Sequence, residues 1–312
     1  MIDLFTGILS TAFLAGGVLA FAALGEVLAE RVGVINLGLE GLMALGGVSA
    51  IIMVSLYPDP WAGLIVAMII GLLFGSIFAS GTVLLGANQT LCGLALTILG
   101  SGLAAAVGRP FSGQPARATF DSVAIPLLSK MPIFGESFFS QNELLYIIWI
   151  VLPISIHWLL FKTRHGLNMR AVGENPAAAD AVGIPVTAIR FWYVTVGASL
   201  AAAAGGYLTL AFVPSWSDGI VAGRGWIAVA LVIFAGYRPY RVALGALLFG
   251  IVTALGFVGQ ARNWPIPPAF LSMLPYLGTM AFMIVPAIIW KRLHRRLAAP
   301  AGLGVGYFRD QD

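Results

Sequence analysis

Runs of about twenty mostly apolar residues, the length that crosses a hydrocarbon core, recur from one end of this chain to the other. Candidate runs lie at 5–25, 35–56, 61–86, 89–108, 143–161, 191–213, 225–237, 242–260 and 270–290. They predict an all-α, polytopic transmembrane helical bundle of about nine spans, within a range of roughly eight to ten. Composition points the same way: 10% of residues are charged and 59% hydrophobic, where a soluble domain carries about a quarter of its residues as charges. The 38 glycines fit closely packed membrane helices, because small residues let backbones approach in lipid.

The run at 225–237 is short, and glycines flank it at Gly219 and Gly236. It reads either as a broken or re-entrant helix or as a short span packed inside the bundle. Orientation follows from the basic residues, which are retained on the cytoplasmic side. Placing Lys291, Arg292, Arg295 and Arg296 inside also puts Arg31, Lys162, Arg164, Arg170, Arg190, Arg238, Arg241 and Arg309 inside. Arg109, Arg117, Lys130, Arg224 and Arg262 fall outside, and the N-terminus is then external. The first apolar stretch has no basic segment before it, so it reads as a retained span and not as a signal peptide. A single transmembrane domain is expected over 1–296, with an external loop at 109–141 and a cytoplasmic loop at 162–190. Residues 297–312 are polar and glycine-containing, and read as a flexible tail.

Most of the chemistry that a chain of this length can carry is missing. No GxxxxGK[ST] loop occurs, so ATP is not bound through a P-loop. Gly302 to Gly306 (GLGVG) has no following helical pattern. His157, His165 and His294 are scattered, and no HExxH or paired-cysteine motif suggests a metal. Cys92 is alone and forms no internal disulfide. No serine nucleophile elbow is present, so neither a catalytic residue nor a cofactor is expected. The basic residues lie in short segments between apolar runs, which indicates topology and not nucleic-acid binding.

Two segments stand out. In Gly33 to Gly46 (GVINLGLEGLMALG), Asn36 and Glu40 interrupt an otherwise apolar stretch. Glu40 would sit about 10 Å below the cytoplasmic start of its span. It either lines a conduit or caps a broken helix with Asn36, or else pairs near the interface with a basic neighbour such as Arg31. Asn88 and Gln89 are further polar candidates for such a path. The second segment is Arg170 to Ile184 (RAVGENPAAADAVGI). Asn175 is a good N-cap, Pro176 suits the first helical position, and Gly183 suits the end. A short helix outside the membrane is predicted, serving as a docking surface or as a plain connector.

The sequence resembles the membrane permeases of ABC importers in the branched-chain amino acid, ribose and nucleoside group, nearest to the second permease of purine nucleoside type importers. The likeness rests on GEVLAERVGVINLGLEG (Gly25 to Gly41), NQTLCGLALTILGSGLA (Asn88 to Ala104), RAVGENPAAADAVGI and the glycine-bounded stretch Gly223 to Gly250, and so covers nearly the whole chain. It implies a non-enzymatic permease subunit of the cytoplasmic membrane. Such a subunit admits a nucleoside, or a related sugar or a vitamin such as pyridoxine or riboflavin, by alternating access. It further implies a coupling helix over Glu174, Asn175, Pro176, Ala178, Ala179 and Gly183, although the family's usual leading Glu is absent. The implied partners are a cytoplasmic ATP-binding subunit, an extracytoplasmic substrate-binding protein and a second permease, expected to be a different chain. An ion-coupled secondary transporter is the alternative. It normally calls for several carboxylates within spans, and here Glu40 is the clear case, with Glu26 and Glu30 near a loop.

Overall fold

The computed structural model describes residues 2–126, 128–131, 134–293 and 299–308. Its helices, in chain order, are α1 (Ile2–Arg31), α2 (Leu39–Leu56), α3 (Pro60–Ala79), α4 (Gln89–Gly108), α5 (Phe134–Phe138), α6 (Glu143–Tyr146) and α7 (Leu152–Lys162). They continue with α8 (Arg164–Glu174), α9 (Pro176–Ala181), α10 (Val186–Tyr207), α11 (Arg224–Phe234), α12 (Pro239–Ala261) and α13 (Pro268–Leu293). Wider π turns extend α3 through Leu84 and α10 through Phe212, and a third joins α6 to α7 just before Pro153. Proline has no N–H and clashes with the carbonyl four residues back, which accounts for the widened turn there. Beyond the helices, the described residues make only isolated β-bridges.

Seven helices among the described residues are long and apolar enough to cross a membrane: Leu4–Arg31, Leu39–Leu56, Pro60–Leu84, Gln89–Phe111, Glu143–Lys162, Val186–Phe212 and Pro239–Ala261. Seven of the nine expected spans are thus full-length apolar helices among the described residues. The expected span at 225–237 falls on α11, whose 11 residues rise about 16 Å and cannot cross a core of about 30 Å. The span at 270–290 falls on α13, part of which lies outside the described side chains.

The first helix also differs from its expected end near Gly25. It runs 30 residues to Arg31 and closes at Gly33, whose φ is +90°. Gly25 is there for packing and not for a turn: a Cβ at that position would fall 2.6 Å from the Gly197 carbonyl oxygen of α10.

Small residues explain the centre of the bundle. The α10 run Ala201–Ala204 followed by Gly205 and Gly206 is buried, and α10 packs against α1, α2 and α3. The backbones of α2 and α10 nearly touch, since a Cβ on Gly205 would sit 1.8 Å from the Met43 carbonyl oxygen and one on Gly46 would sit 1.9 Å from that of Ala202. Lipid tails offer no hydrophobic incentive for helices to associate, so close packing of this kind supplies the cohesion. Around this centre, α12 lies on α1, α4 on α2, and α13 on α12 and α11.

The loop over 109–141 is built into the fold. Ser112 and Pro115 bridge to Trp216 and Ser215, and Gln141 donates to Ser10 Oγ at 2.6 Å. Within the loop, Leu128–Lys130 form a 3-10 turn, followed by α5.

Candidate functional site

The chain between α1 and α2 is non-helical and is held from two sides. Asn36 N donates to Glu26 Oε1 at 2.9 Å, and Asn36 Oδ1 accepts from Gly38 N at 2.9 Å. From α4, Gln89 Oε1 accepts from Ile35 N at 2.9 Å, and the Thr97 hydroxyl donates to the Leu37 carbonyl at 2.9 Å. These bonds satisfy polar backbone that would be costly to bury unpaired inside a membrane. Asn88 stands apart from this cluster: its Oδ1 accepts from Leu91 N at 3.0 Å and caps α4.

The loop delivers Glu40 to the first turn of α2, where it meets the start of α11. Its two carboxylate oxygens accept from Gly223 N at 2.7 Å and Gly225 N at 2.8 Å. The first amides of a helix have no partner within it, and a carboxylate satisfies them while complementing the positive end of the helix dipole. The alternative pairing with Arg31 does not form. Arg31 Nε donates instead to the Tyr237 carbonyl at 3.0 Å. The Arg31 guanidinium also lies over the Tyr237 ring, 5.7 Å from its centroid.

The segment leading into α11 turns back on itself at Gly219, Ala222 and Gly223, which have φ of +72°, +50° and +78°. Near the bridge to Ser112 this segment lies at the loop-rich end of the bundle; by Gly223 it has entered the interior and met Glu40. The last turn of α11 adjoins Gly236 and Tyr237, which Arg31 contacts at the other end. Thus α11 is a half-length helix whose N-terminus lies inside the bundle.

Beside this break is a partly open cavity of about 330 Å³ lined by α1, α11, α12 and α13. Thr253, Gln260, Ser272, Tyr276 and Arg224 give it polar edges in an otherwise apolar wall. Arg224 Nη1 is held by the carbonyls of Ile220 and Val221 at 2.8 and 3.0 Å, and the Tyr276 hydroxyl donates to the Ala222 carbonyl. Sequence reading missed this wall, because its polar members are single residues spread over three helices. It also placed Glu26 and Glu30 near a loop, whereas both lie within α1, each 1% exposed. Their spacing of four residues, which puts both on one face of α1, was the available signal. Glu26 Oε2 and both Glu30 oxygens have no hydrogen-bond partner among the described residues.

At the basic end, two helices occupy the segment for which one was expected. Thr163 caps α8 by accepting from Gly166 N at 2.9 Å, and Asn175 caps α9 by accepting from Ala178 N at 3.0 Å. Gly166, Met169, Val172 and Gly173 bury one face of α8, while Arg164 and Glu174 are exposed. In α9, Pro176 begins the helix and Gly183, at φ +82°, follows its end. Ala179 turns inward and is 3% exposed, whereas Ala178, Gly183 and the unanticipated Val182, at 75%, face outward. Glu174 accepts from Ala301 N at 3.1 Å. The coupling residues inferred from resemblance therefore divide into caps, an inward anchor and an outward face.

The family described as branched-chain amino acid transport system, permease component, matches residues 8–284. A Haloferax volcanii protein, provisionally named as a glucose ABC transporter permease, is 34% identical, with 98% of each chain covered. A nucleoside ABC transporter permease of Lactococcus lactis is 34% identical over 94% of each chain. A guanosine ABC transporter permease of Bacillus subtilis is 32% identical over 84% of this chain and 86% of its own.

Proposed function

Because the chain belongs to the permease family of branched-chain amino acid transport systems, we propose that it forms the membrane path of an ABC importer for a nucleoside or a related sugar. Permease subunits of this family are not enzymes; ATP is hydrolysed on separate subunits, and a substrate-binding protein presents the solute. The observation that carries the choice of solute is the pair of relatives named for nucleoside and guanosine transport, with a third named for glucose. All three solutes are small and carry several hydroxyl groups, which demands polar partners along an apolar route.

The break at Gly223 provides a place for such partners. Transporters commonly bind solute near the bilayer midplane where helices are discontinuous, and the Glu40 cap and the adjoining cavity have that character. In our reading the solute passes the cavity, with Gln260 and Tyr276 as its polar contacts. Glu40, Asn36 and Gln89 hold the break open on one side, and Asn88 caps the helix that carries Gln89. Alternating access then follows from two arrangements of the bundle with different affinity for ATP-bound partners. The outward face of α9, with Ala178, Val182 and Gly183, docks on the ATP-binding subunit, while Asn175 and Pro176 set its start and Ala179 anchors it. A second permease, a different chain in this proposal, completes the path.

Thermal shifts of the partner binding protein with purine nucleosides, pentoses, glucose, riboflavin and pyridoxine test the solute. A shift with nucleosides or sugars is expected. A shift confined to the vitamins overturns the proposed class.

A further inference from the structure

The segment after α13 reads as a free tail, yet residues 299–308 lie along the basic end of the bundle and touch four of its parts. At the junction of α8 and α9, Gly302 N donates to the Gly173 carbonyl at 2.9 Å and Ala301 N to Glu174 Oε2 at 3.1 Å. On α9 itself, the Tyr307 hydroxyl donates to Asp180 Oδ2 at 3.1 Å. On the loop leading into α2, Gly304 N donates to the Gly33 carbonyl at 3.1 Å. At the turn between α3 and α4, Phe308 lies so close to Gly86 that a Cβ there would fall 1.8 Å from its ring.

Arg190, near the start of α10, fastens the arrangement. It is 3% exposed; its Nη1 donates to the Val305 carbonyl at 2.9 Å and its Nε to the Val32 carbonyl at 3.1 Å. One buried guanidinium thus holds the tail and the α1–α2 loop together. Bonds of this kind, with a charged donor, are among the stronger ones in a protein. Gly302 is itself too tightly placed for a side chain, since a Cβ there would fall 2.9 Å from the Gly173 carbonyl oxygen.

The tail is bonded to α9 at one point and to Gly33 at another, and Gly33 opens the loop that ends at Glu40. We propose that residues 299–308 are a strap that ties α9 to the α1–α2 loop, so that movement of α9 by the ATP-binding subunit reaches Glu40 and the start of α11. Tyr307, Gly302 and Arg190 are positioning residues in this scheme, and none of them contacts solute. The strap rests on the reading of α9 as the docking helix. Coupling between distant sites needs elements that move as a unit, and the strap adds a bonded link from α9 to the loop in parallel with α8, whose Gly173 packs on Arg31 and Gly33, and with α10, whose Arg190 bonds Val32.

The test uses the complete importer, with both permeases, ATP-binding subunits and binding protein, in proteoliposomes. Uptake and ATP hydrolysis are read together. Ending the chain after residue 298 is expected to leave ATP hydrolysis in place while uptake per ATP falls about 5-fold or more, the size of a typical coupling energy. Where that truncation does not assemble, the double variant Y307F/F308A decides; an assembled complex losing about 2- to 10-fold in uptake per ATP is expected from one lost bond and one lost contact. The control is V182E on the outward face of α9. Unchanged uptake in V182E overturns the docking-helix reading and the strap with it. Loss of uptake in V182E, with unchanged uptake per ATP in the strap variants, overturns the strap alone.

Discussion

Replacing Glu40 by Ala removes the acceptor for two buried amides, Gly223 N at 2.7 Å and Gly225 N at 2.8 Å. A hydrogen bond to a charged group contributes about 1.5–3 kcal/mol, and a buried donor left unpaired costs about 1–3 kcal/mol. Two such bonds set a scale of about 3–6 kcal/mol. Against this, removing a half-buried carboxylate relieves its own desolvation, so a net loss of about 2–4 kcal/mol is expected. Chains of somewhat smaller size shift by about 2–4 °C per kcal/mol, which places the melting temperature of E40A about 4–16 °C below that of the parent. E40Q keeps one acceptor and turns an amide N–H₂ toward the other donor, so about half that loss is expected. The assay is the surviving monodisperse fraction after heating in detergent, with hydrogen exchange at Gly223 and Gly225 as the local readout. Exchange at those two amides should accelerate in both variants, and more in E40A. Unaltered melting together with unaltered exchange at Gly223 and Gly225 would refute the claim that Glu40 holds the start of α11.

Three further outcomes are expected. G205L should yield little monodisperse protein, because even a Cβ would fall 1.8 Å from the Met43 carbonyl, whereas G102A, with nothing within 4 Å of its Cβ, should behave as the parent; equal yields would contradict the packing of α2 on α10. A179E should unseat α9 from the bundle and lower the melting temperature as well as uptake, while A178W, on the outward face, should abolish uptake with melting unchanged; the two variants behaving alike would erase the distinction between anchor and docking face. N36A and Q89A should each cost roughly 1 kcal/mol by freeing a loop amide or its partner, and the double variant should lose more than the sum because both hold the same seven-residue loop between α1 and α2; strict additivity would argue that the loop is held elsewhere.

How much of this was legible in the sequence differs from feature to feature. Apolar length identified the full spans, since a membrane core permits little else. Asn175, Pro176 and Gly183 identified α9, because caps are local chemistry between near neighbours. Glu40 was recognisable as a cap for a broken helix, but its partner was not: Gly223 lies 183 positions away, and no local rule links them. The same limit hid the strap. Its glycines and Pro300 look like a disordered tail until Gly173, Gly33 and Arg190 are placed beside them. Helix α8 was missed because RHGLNMR carries too few apolar residues to announce a face, and its buried side is made largely by Gly166 and Gly173. Ala179 was assigned to the docking set because resemblance transfers a position along the chain and not the direction of its side chain.

The central claim is that this chain is the conduit and its energy comes from a separate ATP-binding subunit. Its most direct test is nucleoside or sugar uptake by proteoliposomes holding the assembled importer and its binding protein, with ATP supplied to the ATP-binding side and ion gradients collapsed. Concentrative uptake that needs ATP hydrolysis and stops when the ATP-binding subunit is omitted is the predicted result. Concentrative uptake by the permease without that subunit, driven by a proton or sodium gradient, would contradict it.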